Sequence, residues 1–402
     1  ITKMVNYSCE KCGKIFKQKG HYIKHLQRKT PCDNIKDKIE NIVEKKVGEL
    51  VKEKLQELVE KGDIEIKNKN LILNNQNSNI ENTDMVDTKL KVLDLFCGCG
   101  GFTKGLEDAG LDVIAGIDHW NPAVESYKKN FNHVCLEKDL TTYTPEHLSK
   151  ETGIKDIDIL VGGPPCQGFS MAGKRDKKDP RNSLFMEYVK YLNYFKPKMF
   201  IMENVRGILS MKTANGTYVK ELILNELTKE YNCIPFSLYA RDFEVPQIRN
   251  RVLFIGIRKD LEKIPIQPEK INPNDHIPVS KILLPEDKVT TGFLSEKAIT
   301  GIHNKLARMK EKGYGFGAQF LKMDKPSYTI PARYHKDGYD ALVKYSDTKI
   351  RKLTVTELKR IQTFGDDFIL HGDYKEQVMQ IGNAVASRFA YHIGKYIIHT
   401  LQ

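Results

Sequence analysis

Cysteine is scarce, at eight in 402 residues, so the chain is not a small secreted fold stapled by disulfides. The few cysteines are spaced for metal binding and one reactive thiol in a reducing compartment. Long apolar runs are missing as well. No stretch approaches the roughly 18 apolar residues that a membrane span needs, and the opening ITKMVNYSCEKCGK lacks the apolar core of a signal peptide. Because the first residue is Ile1, a targeting segment ahead of it would not be visible. Acidic side chains are outnumbered, 52 against 64 Lys and Arg, for a formal charge of +12 and a pI near 9.0. Such a surplus favours a polyanionic partner, because Lys and Arg release counterions from phosphates. No internal repeat is evident. The expectation is an intracellular protein with no membrane association and enough apolar residues, 40%, for one large core or two.

What is present falls into unlike segments. In residues 1–32, Cys9 and Cys12 form a CxxC pair and His25 follows after a gap of twelve residues, with Phe16 and Tyr22 as the expected small core. This is the spacing of a ββα zinc finger. Cys32 is the expected fourth ligand, with six residues between it and His25 where about three to five is usual; the ligand order becomes CCHC. His21, one helical turn before His25, competes for a ligand place. So short a piece lacks the apolar content to fold without a structural Zn2+. Lys11, Lys14, Lys17, Lys19, Lys24, Arg28 and Lys29 oppose only Glu10, which suits nucleic acid, with a protein partner as the alternative. Over residues 33–61, Ile35, Ile39, Ile42, Val43, Val47, Leu50, Val51, Leu55, Leu58 and Val59 fall mostly at steps of three and four, an apolar helical stripe. Pairing of two chains into a coiled-coil homodimer through residues 35–59 is the preferred reading, docking onto the body of the protein the other. Residues 62–89, rich in Asn, Lys and Ser, read as a flexible linker.

From Leu90 onward the texture changes. KVLDLF, DVIAGID, IDILVGG, KMFIMENV and RVLFIGI read as buried strands separated by amphipathic helices, an α/β class with a parallel doubly wound sheet. Ligands of such sheets sit at the carboxyl ends of the strands. KVLDLF runs into CGCGGFTKG, where Gly98, Gly100 and Gly101 permit close backbone approach to a ligand before a helix begins near Phe102. The next strand ends in Asp118, the distance at which an acid takes ribose hydroxyls in nucleotide-binding folds. The spacing is not GxGxxG and no pyrophosphate cradle is apparent, which argues for adenosylmethionine over a dinucleotide. Asp139, in LEKDL, accepts from an adenine amino group or caps a helix.

IDILVGG leads into PPCQGFS, which puts Cys166 on a stiff turn after Pro164 and Pro165. A cysteine after a strand is commonly an inert hydrophobe; its neighbours change the reading. MENV delivers Glu203 and Asn204, and PQIRNRV carries Gln247, Arg249 and Arg251 at alternate positions. A carboxyl group at the end of a buried strand needs a proton or a partner, so Glu203 is a functional acid or half of an ion pair. The set suits addition to a pyrimidine. Carbon 5 of cytosine becomes nucleophilic once a thiolate adds to C6, the role of Cys166, with protonated Glu203 donating at N3 and Arg251 at O2. Arg249 is read as holding the cysteine loop and lowering the thiol pKa. A stacked base cannot reach such a pocket, so the target must flip out.

The ordered blocks DLFCGCGGFTKGLEDAG, GIDHW, KDL, GGPPCQGFS, DPRNSLF, ENV, PQIRNRVLFIG, RKLTVTELKRIQTFGDDF and QIGNAV resemble the motif set of DNA (cytosine-5) methyltransferases. The resemblance covers Leu90 to the C-terminus. It implies a Rossmann-like S-adenosylmethionine-dependent catalytic domain over residues 90–257, a smaller target recognition domain over 258–350, and a C-terminal return over 351–402. Double-stranded DNA is the implied substrate. The implied cofactor-binding residues are Phe96, Gly98, Gly100, Asp118, Asp139, Leu140, Asn383 and Val385, and the implied catalytic residues Cys166, Glu203, Arg249 and Arg251. The chain departs from the family pattern at His119 and Trp120, beside the ribose-binding acid, at Ala384, where a hydroxyl is frequent, and at Gly365, where Pro is frequent. GYGFGAQF and PSYTIPARYHKDGYD, in the recognition region, suit loops that enter the major groove and hold phosphates. An RNA cytosine-5 methyltransferase is the enzymatic alternative, and a catalytically inactive DNA-binding scaffold the non-enzymatic one.

Overall fold

The structure is a computed structural model that describes residues 7–8, 15–16, 21, 23, 64–67, 70–73, 89–165, 183–213, 216–311, 318–336 and 339–402. Its contacts divide into two units, 1–87 and 88–402. In the first, β1 (Tyr7–Ser8) pairs antiparallel with β2 (Ile15–Phe16), Tyr7 opposite Phe16, and His21 and Ile23 are helical. The expected ligands Cys9, Cys12, His25 and Cys32, and the stripe from Ile35 to Val59, lie outside the described residues. Two short strands fall within residues 62–89, the expected linker. There β3 (Ile64–Lys67) pairs antiparallel with β4 (Asn70–Leu73), Ile64 opposite Leu73 and Ile66 opposite Leu71. Period-two alternation of branched apolar residues outweighs the polar composition that surrounds it.

The second unit is built on a seven-stranded sheet. Its strands are β5 (Lys91–Leu95), β6 (Asp112–Asp118), β7 (Val134–Glu137), β8 (Ile159–Gly162), β9 (Met199–Val205), β10 (Tyr231–Tyr239) and β11 (Asn250–Arg258), in spatial order β10-β11-β9-β8-β5-β6-β7. Pairings among β5, β6, β7, β8 and β9 are parallel. The parallel doubly wound sheet expected from the apolar runs is present, with one antiparallel edge where β11 runs against both β9 and β10. Two strands escaped the sequence reading: β7, four residues with an exposed Val134, and β10, which carries Pro235 and tolerates it as an edge strand.

Helices cover both faces. On one, α1 (Gly101–Ala109) and α9 (Ser387–Leu401) bring Phe102, Leu106, Phe389, Ile393 and Ile397 against Val113, Val161, Ile201 and Ile255. Each such fully buried side chain contributes about 1.5–3 kcal/mol. On the other, α3 (Pro145–Thr152), α4 (Ser183–Phe195) and α5 (Val219–Leu227) bring Leu148, Tyr188, Leu192 and Ile223 against Leu93, Leu160, Phe200 and Phe254. Helix α2 (Asn121–Asn130) joins Tyr127 to Phe131, Phe364 and Phe368 in a separate cluster. The described residues of 258–350 are mostly irregular, with short 3-10 segments, α6 (Glu296–Glu311) and the short antiparallel pair β12 (Val343–Lys344) and β13 (Ile350–Arg351). Their largest core is shared with the return segment: Val279, Ile330, Tyr334 and Val343 pack on Leu358 and Ile361 of α7 (Val355–Ile361) and Val378 and Ile381 of α8 (Tyr374–Asn383).

Candidate active site

The chain leaves β5 through a turn that only special backbone conformations allow. Phe96 sits at φ 57°, Gly98 at 56° and Gly100 at 94°; at Gly100 a Cβ would lie 2.2 Å from the Phe131 ring. The next glycine serves a different contact. A Cβ on Gly101 would lie 2.2 Å from the carbonyl oxygen of Val385, so this residue lets the C-terminal return press on the start of α1. Asp118, at the end of β6, holds the turn from the side: Oδ2 accepts from Gly98 N at 2.9 Å and Oδ1 from Trp120 N at 2.9 Å. Each oxygen retains a lone pair for a ligand hydroxyl.

Beside this turn lies a cavity of about 250 Å³ lined by Phe96, Asp118, His119, Lys138, Asp139, Leu140, Thr141, Pro165 and Leu184. Asp139 caps a turn, Oδ1 accepting from Thr141 N at 2.9 Å and Thr141 Oγ1 at 2.8 Å. These hydrogen bonds, backbone first, hold its pKa below the usual carboxylate range. Four of the residues expected to bind cofactor, Phe96, Asp118, Asp139 and Leu140, thus meet at one cavity. Gly98 and Gly100 belong to the turn beside it. Val385 lies against Gly101, and Asn383 is exposed at the end of α8, outside the lining. Two carboxylates, an apolar wall and a turn open to backbone approach fit a nucleoside with a short polar extension.

The chemistry-bearing edge adjoins this cavity through Pro165, the residue before Cys166. Cys166 itself lies outside the described residues. The Pro-Pro turn is held by Asn204, whose Nδ2 donates to the Pro164 carbonyl at 3.1 Å. Glu203 meets Arg251 with Nε to Oε1 at 2.5 Å, both side chains mostly buried. The antiparallel register explains the meeting: Arg251 is opposite Val205 and Leu253 opposite Glu203, making Arg251 and Glu203 diagonal neighbours on one face. The partner that a buried carboxyl at this strand end requires is therefore Arg251.

Arg249 takes a different position. It is 2% exposed, with Nη1 donating to the Ile330 carbonyl at 3.2 Å and Nη2 to that of Gly382 at 2.9 Å. Its Nε has no partner among the described residues. Burial, and then the neighbouring Arg251, pulls its pKa down. Gln247 extends the clamp, donating to Gln362 Oε1 at 2.9 Å and accepting from Ile330 N at 2.9 Å, while Gln362 Nε2 donates to the carbonyls of Ile381 and Ala384. These groups pin the segment around Ile330 and the C-terminal segment around Gly382 to the start of β11.

Several lining residues escaped the sequence reading. Lys138 opens the KDL block and Thr141 follows it, so both were findable by adjacency. Leu184 comes from α4, far along the chain, and only the tertiary fold brings it here. The functions of Gln247 and Gln362 had no local signal, because their meaning lies in a contact across more than a hundred residues.

Comparison with known proteins bears on this arrangement. A family model described as C-5 cytosine-specific DNA methylase matches residues 90–399. The type II methyltransferase M1.HphI of Haemophilus parahaemolyticus is 32% identical over 339 residues, 77% of this chain and 87% of that protein. M.DdeI of Desulfomicrobium norvegicum, also a type II methyltransferase, is 46% identical over 173 residues, 42% of this chain and 41% of that one. Among solved structures, the S. pombe Dnmt2 methyltransferase superposes with a TM-score of 0.61 at 19% identity, covering 78% of this chain and 100% of that one. This last likeness concerns the fold.

Proposed function

The chain belongs to the C-5 cytosine-specific DNA methylase family and is a DNA (cytosine-5) methyltransferase; we propose that Cys166 is its nucleophile and that it acts on a cytosine flipped out of a short specific duplex site. The observation that carries this reading is the Glu203–Arg251 pair, at the strand edge whose Pro-Pro turn also lines the candidate cofactor cavity. The Cys166 thiolate adds to C6, forming a C–S bond and pushing electron density toward N3 and C5. Glu203 carries a proton to N3, and Arg251 keeps Glu203 in place while its remaining N–H groups face O2. Phe96, Gly98, Gly100, Asp118, Asp139, Leu140, Asn383 and Val385 would hold S-adenosylmethionine, which would supply an electrophilic methyl group for C5. Loss of the C5 proton to a base, with water as the candidate, then expels Cys166 and restores the ring. Arg249, through Ile330 and Gly382, holds the recognition region and the return against this edge.

Residues 258–350 are proposed to read the target, and the names of the type II relatives support a place in a restriction-modification pair. For residues 1–32 the proposal is a zinc finger with Cys9, Cys12, His25 and Cys32 as ligands. The paired strands Tyr7–Ser8 and Ile15–Phe16, which flank the CxxC pair in sequence, support it, as does a two-thiol, imidazole, thiol donor set. Residues 35–59 are proposed to pair two chains. No helix among the described residues is long and apolar enough to cross a membrane.

The test uses duplex DNA containing 5-fluorocytosine, which cannot lose its C5 substituent. With S-adenosylmethionine present, wild type is expected to form a denaturation-resistant protein–DNA adduct and Cys166→Ala none. Tritium from the cofactor should appear in ordinary duplex DNA as 5-methylcytosine. Label confined to tRNA would move the assignment to RNA, and an adduct that survives Cys166→Ala would remove Cys166 from its role.

A further inference from the structure

A chain of hydrogen bonds that the reaction above does not use runs beneath the glycine turn. Thr103 Oγ1 lies 2.7 Å from Asp94 Oδ2 and 2.9 Å from Tyr127 Oη, Tyr127 Oη lies 2.6 Å from His133 Nε2, and His133 Nδ1 lies 3.1 Å from Glu107 Oε1. Asp94, Thr103 and Tyr127 are at most 1% exposed, and Glu107 reaches solvent. Tyr127 is also the steric floor of the turn: a Cβ on Gly100 would meet its ring at 3.0 Å, and one on Gly116 its hydroxyl at 2.7 Å. We infer that Asp94, Thr103, Tyr127 and His133 form a proton relay that moves charge under the cofactor turn, distinguishing positively charged S-adenosylmethionine from its uncharged product S-adenosylhomocysteine. The inference deepens the cofactor reading above and rests on it.

Two arrangements of the same protons satisfy every contact. In one, protonated Asp94 donates to Thr103, Thr103 to Tyr127, and Tyr127 to Nε2 of a neutral His133 whose Nδ1–H faces Glu107. In the other, each proton has moved one place. Asp94 is a carboxylate accepting from Thr103, and His133 is an imidazolium donating to Tyr127 and Glu107. The proton that Asp94 loses, His133 gains; only O–H and N–H bonds change, and nothing enters from solvent. Burial first, and then the Asp118 carboxylate, raises the Asp94 pKa to about 7, so its carboxyl can hold or yield a proton at neutral pH. Burial keeps the Tyr127 hydroxyl protonated, so it serves as a conduit rather than a store. The other groups coupled to this cluster are Cys97 and Cys135, on Tyr127, and Tyr188, on Asp94; Phe131 faces His133 as an aromatic neighbour. A sulfonium bound above the turn favours the carboxylate form of Asp94 and a neutral thioether the protonated form. These four are positioning residues, since none is placed on the reacting base.

Tyr127→Phe keeps the ring and cuts the relay. Both nucleosides would be titrated by calorimetry at pH about 7 into the full chain, with infrared difference spectra following the carboxylic-acid carbonyl band. In wild type that band should be lost on binding S-adenosylmethionine and kept on binding S-adenosylhomocysteine. In Tyr127→Phe the band should persist with both, and the affinity ratio should fall about fivefold or more, with the product's affinity within about twofold of wild type. His133→Gln, at the accessible end, repeats the test if Tyr127→Phe does not fold. An unchanged ratio, or equal weakening of both ligands, overturns the relay. Wild type that binds neither nucleoside overturns the cofactor reading and the relay with it, an outcome distinct from an unchanged ratio.

Discussion

Gly101→Ala tests whether the C-terminal return closes the candidate cofactor site. The added Cβ would sit 2.2 Å from the Val385 carbonyl oxygen and 3.2 Å from both the Ala384 Cβ and the Phe364 ring. A carbon needs about 3.2 Å from a carbonyl oxygen, so Val385 must retreat by about 1 Å, and packed interiors resist such shifts at about 1–3 kcal/mol. The obstacle is backbone, which cannot rotate aside as a side chain can. Its neighbours are fixed as well, because Gln362 donates to the carbonyls of Ile381 and Ala384. At about 2–4 °C per kcal/mol, typical of domains of 150–250 residues, the melting temperature should fall by several degrees. S-Adenosylmethionine affinity should fall about tenfold or more, the retreat separating Val385 from the turn. Gly207→Ala is the control, since nothing lies within 4 Å of a Cβ there; it should stay within about 0.5 kcal/mol of wild type. The assay is calorimetric titration beside a thermal melt. Wild-type affinity and melting temperature in Gly101→Ala would refute the claim that the return abuts the turn.

Glu203→Gln keeps the shape of the side chain but cannot shuttle a proton; single-turnover methylation should slow about 10²–10⁴-fold with cofactor affinity unchanged, and an undiminished rate would dismiss Glu203 as the N3 acid. Arg351 and Glu357 form a bidentate pair at 2.7 and 2.8 Å with both side chains fully buried. Arg351→Met leaves the carboxylate uncompensated and should cost about 3–5 kcal/mol in urea unfolding. Adding Glu357→Leu should rescue only part, since the backbone N–H groups of Leu284 and Thr354 lose their acceptor; full rescue would contradict this. For Asp94, whose pKa is raised to about 7 chiefly by burial, the folded state keeps a proton that the unfolded chain releases between pH about 4 and 7. Its stabilising contribution is therefore complete below pH about 4 and is lost as pH rises toward 7. Asp94→Asn should gain on wild type steadily over that window in denaturant melts, and a pH-independent difference would argue against the shift.

Much of this arrangement was legible in the sequence because its parts are local. KVLDLF followed by CGCGG reports a buried strand and a turn needing positive φ, and Gly98 and Gly100 adopt it. The sequence places Asp118 as a candidate ribose ligand, and the structure adds that its carboxylate organises the turn through Gly98 and Trp120. What was not legible is what depends on register and direction. Alternation in Ile64, Ile66, Leu71 and Leu73 was hidden by polar neighbours, and an edge strand interrupted by Pro235 gives no apolar run. The buried amide of Gln362 looks like any polar residue until the fold sets it 2.9 Å from Gln247.

Strand direction accounts for the order of the functional blocks. In a parallel strand the chain reaches the ligand-binding edge as it leaves, so the turn after β5, Asp118 at the end of β6 and the Pro-Pro turn after β8 all follow apolar runs. The PQIRNR block precedes its run. Were β11 parallel, Arg249 and Arg251 would lie at the opposite edge, a sheet's length from Glu203. Because β11 is antiparallel, its first residues pair with the last of β9, Arg251 with Val205 and Val252 with Asn204, and the guanidinium arrives where the carboxylate ends. The reversal also places Gln247 and Arg249 just outside the sheet, where they grip Ile330 and Gly382. One inverted strand thus supplies both the partner of Glu203 and the clamp that holds Ile330 and Gly382 beside the same edge.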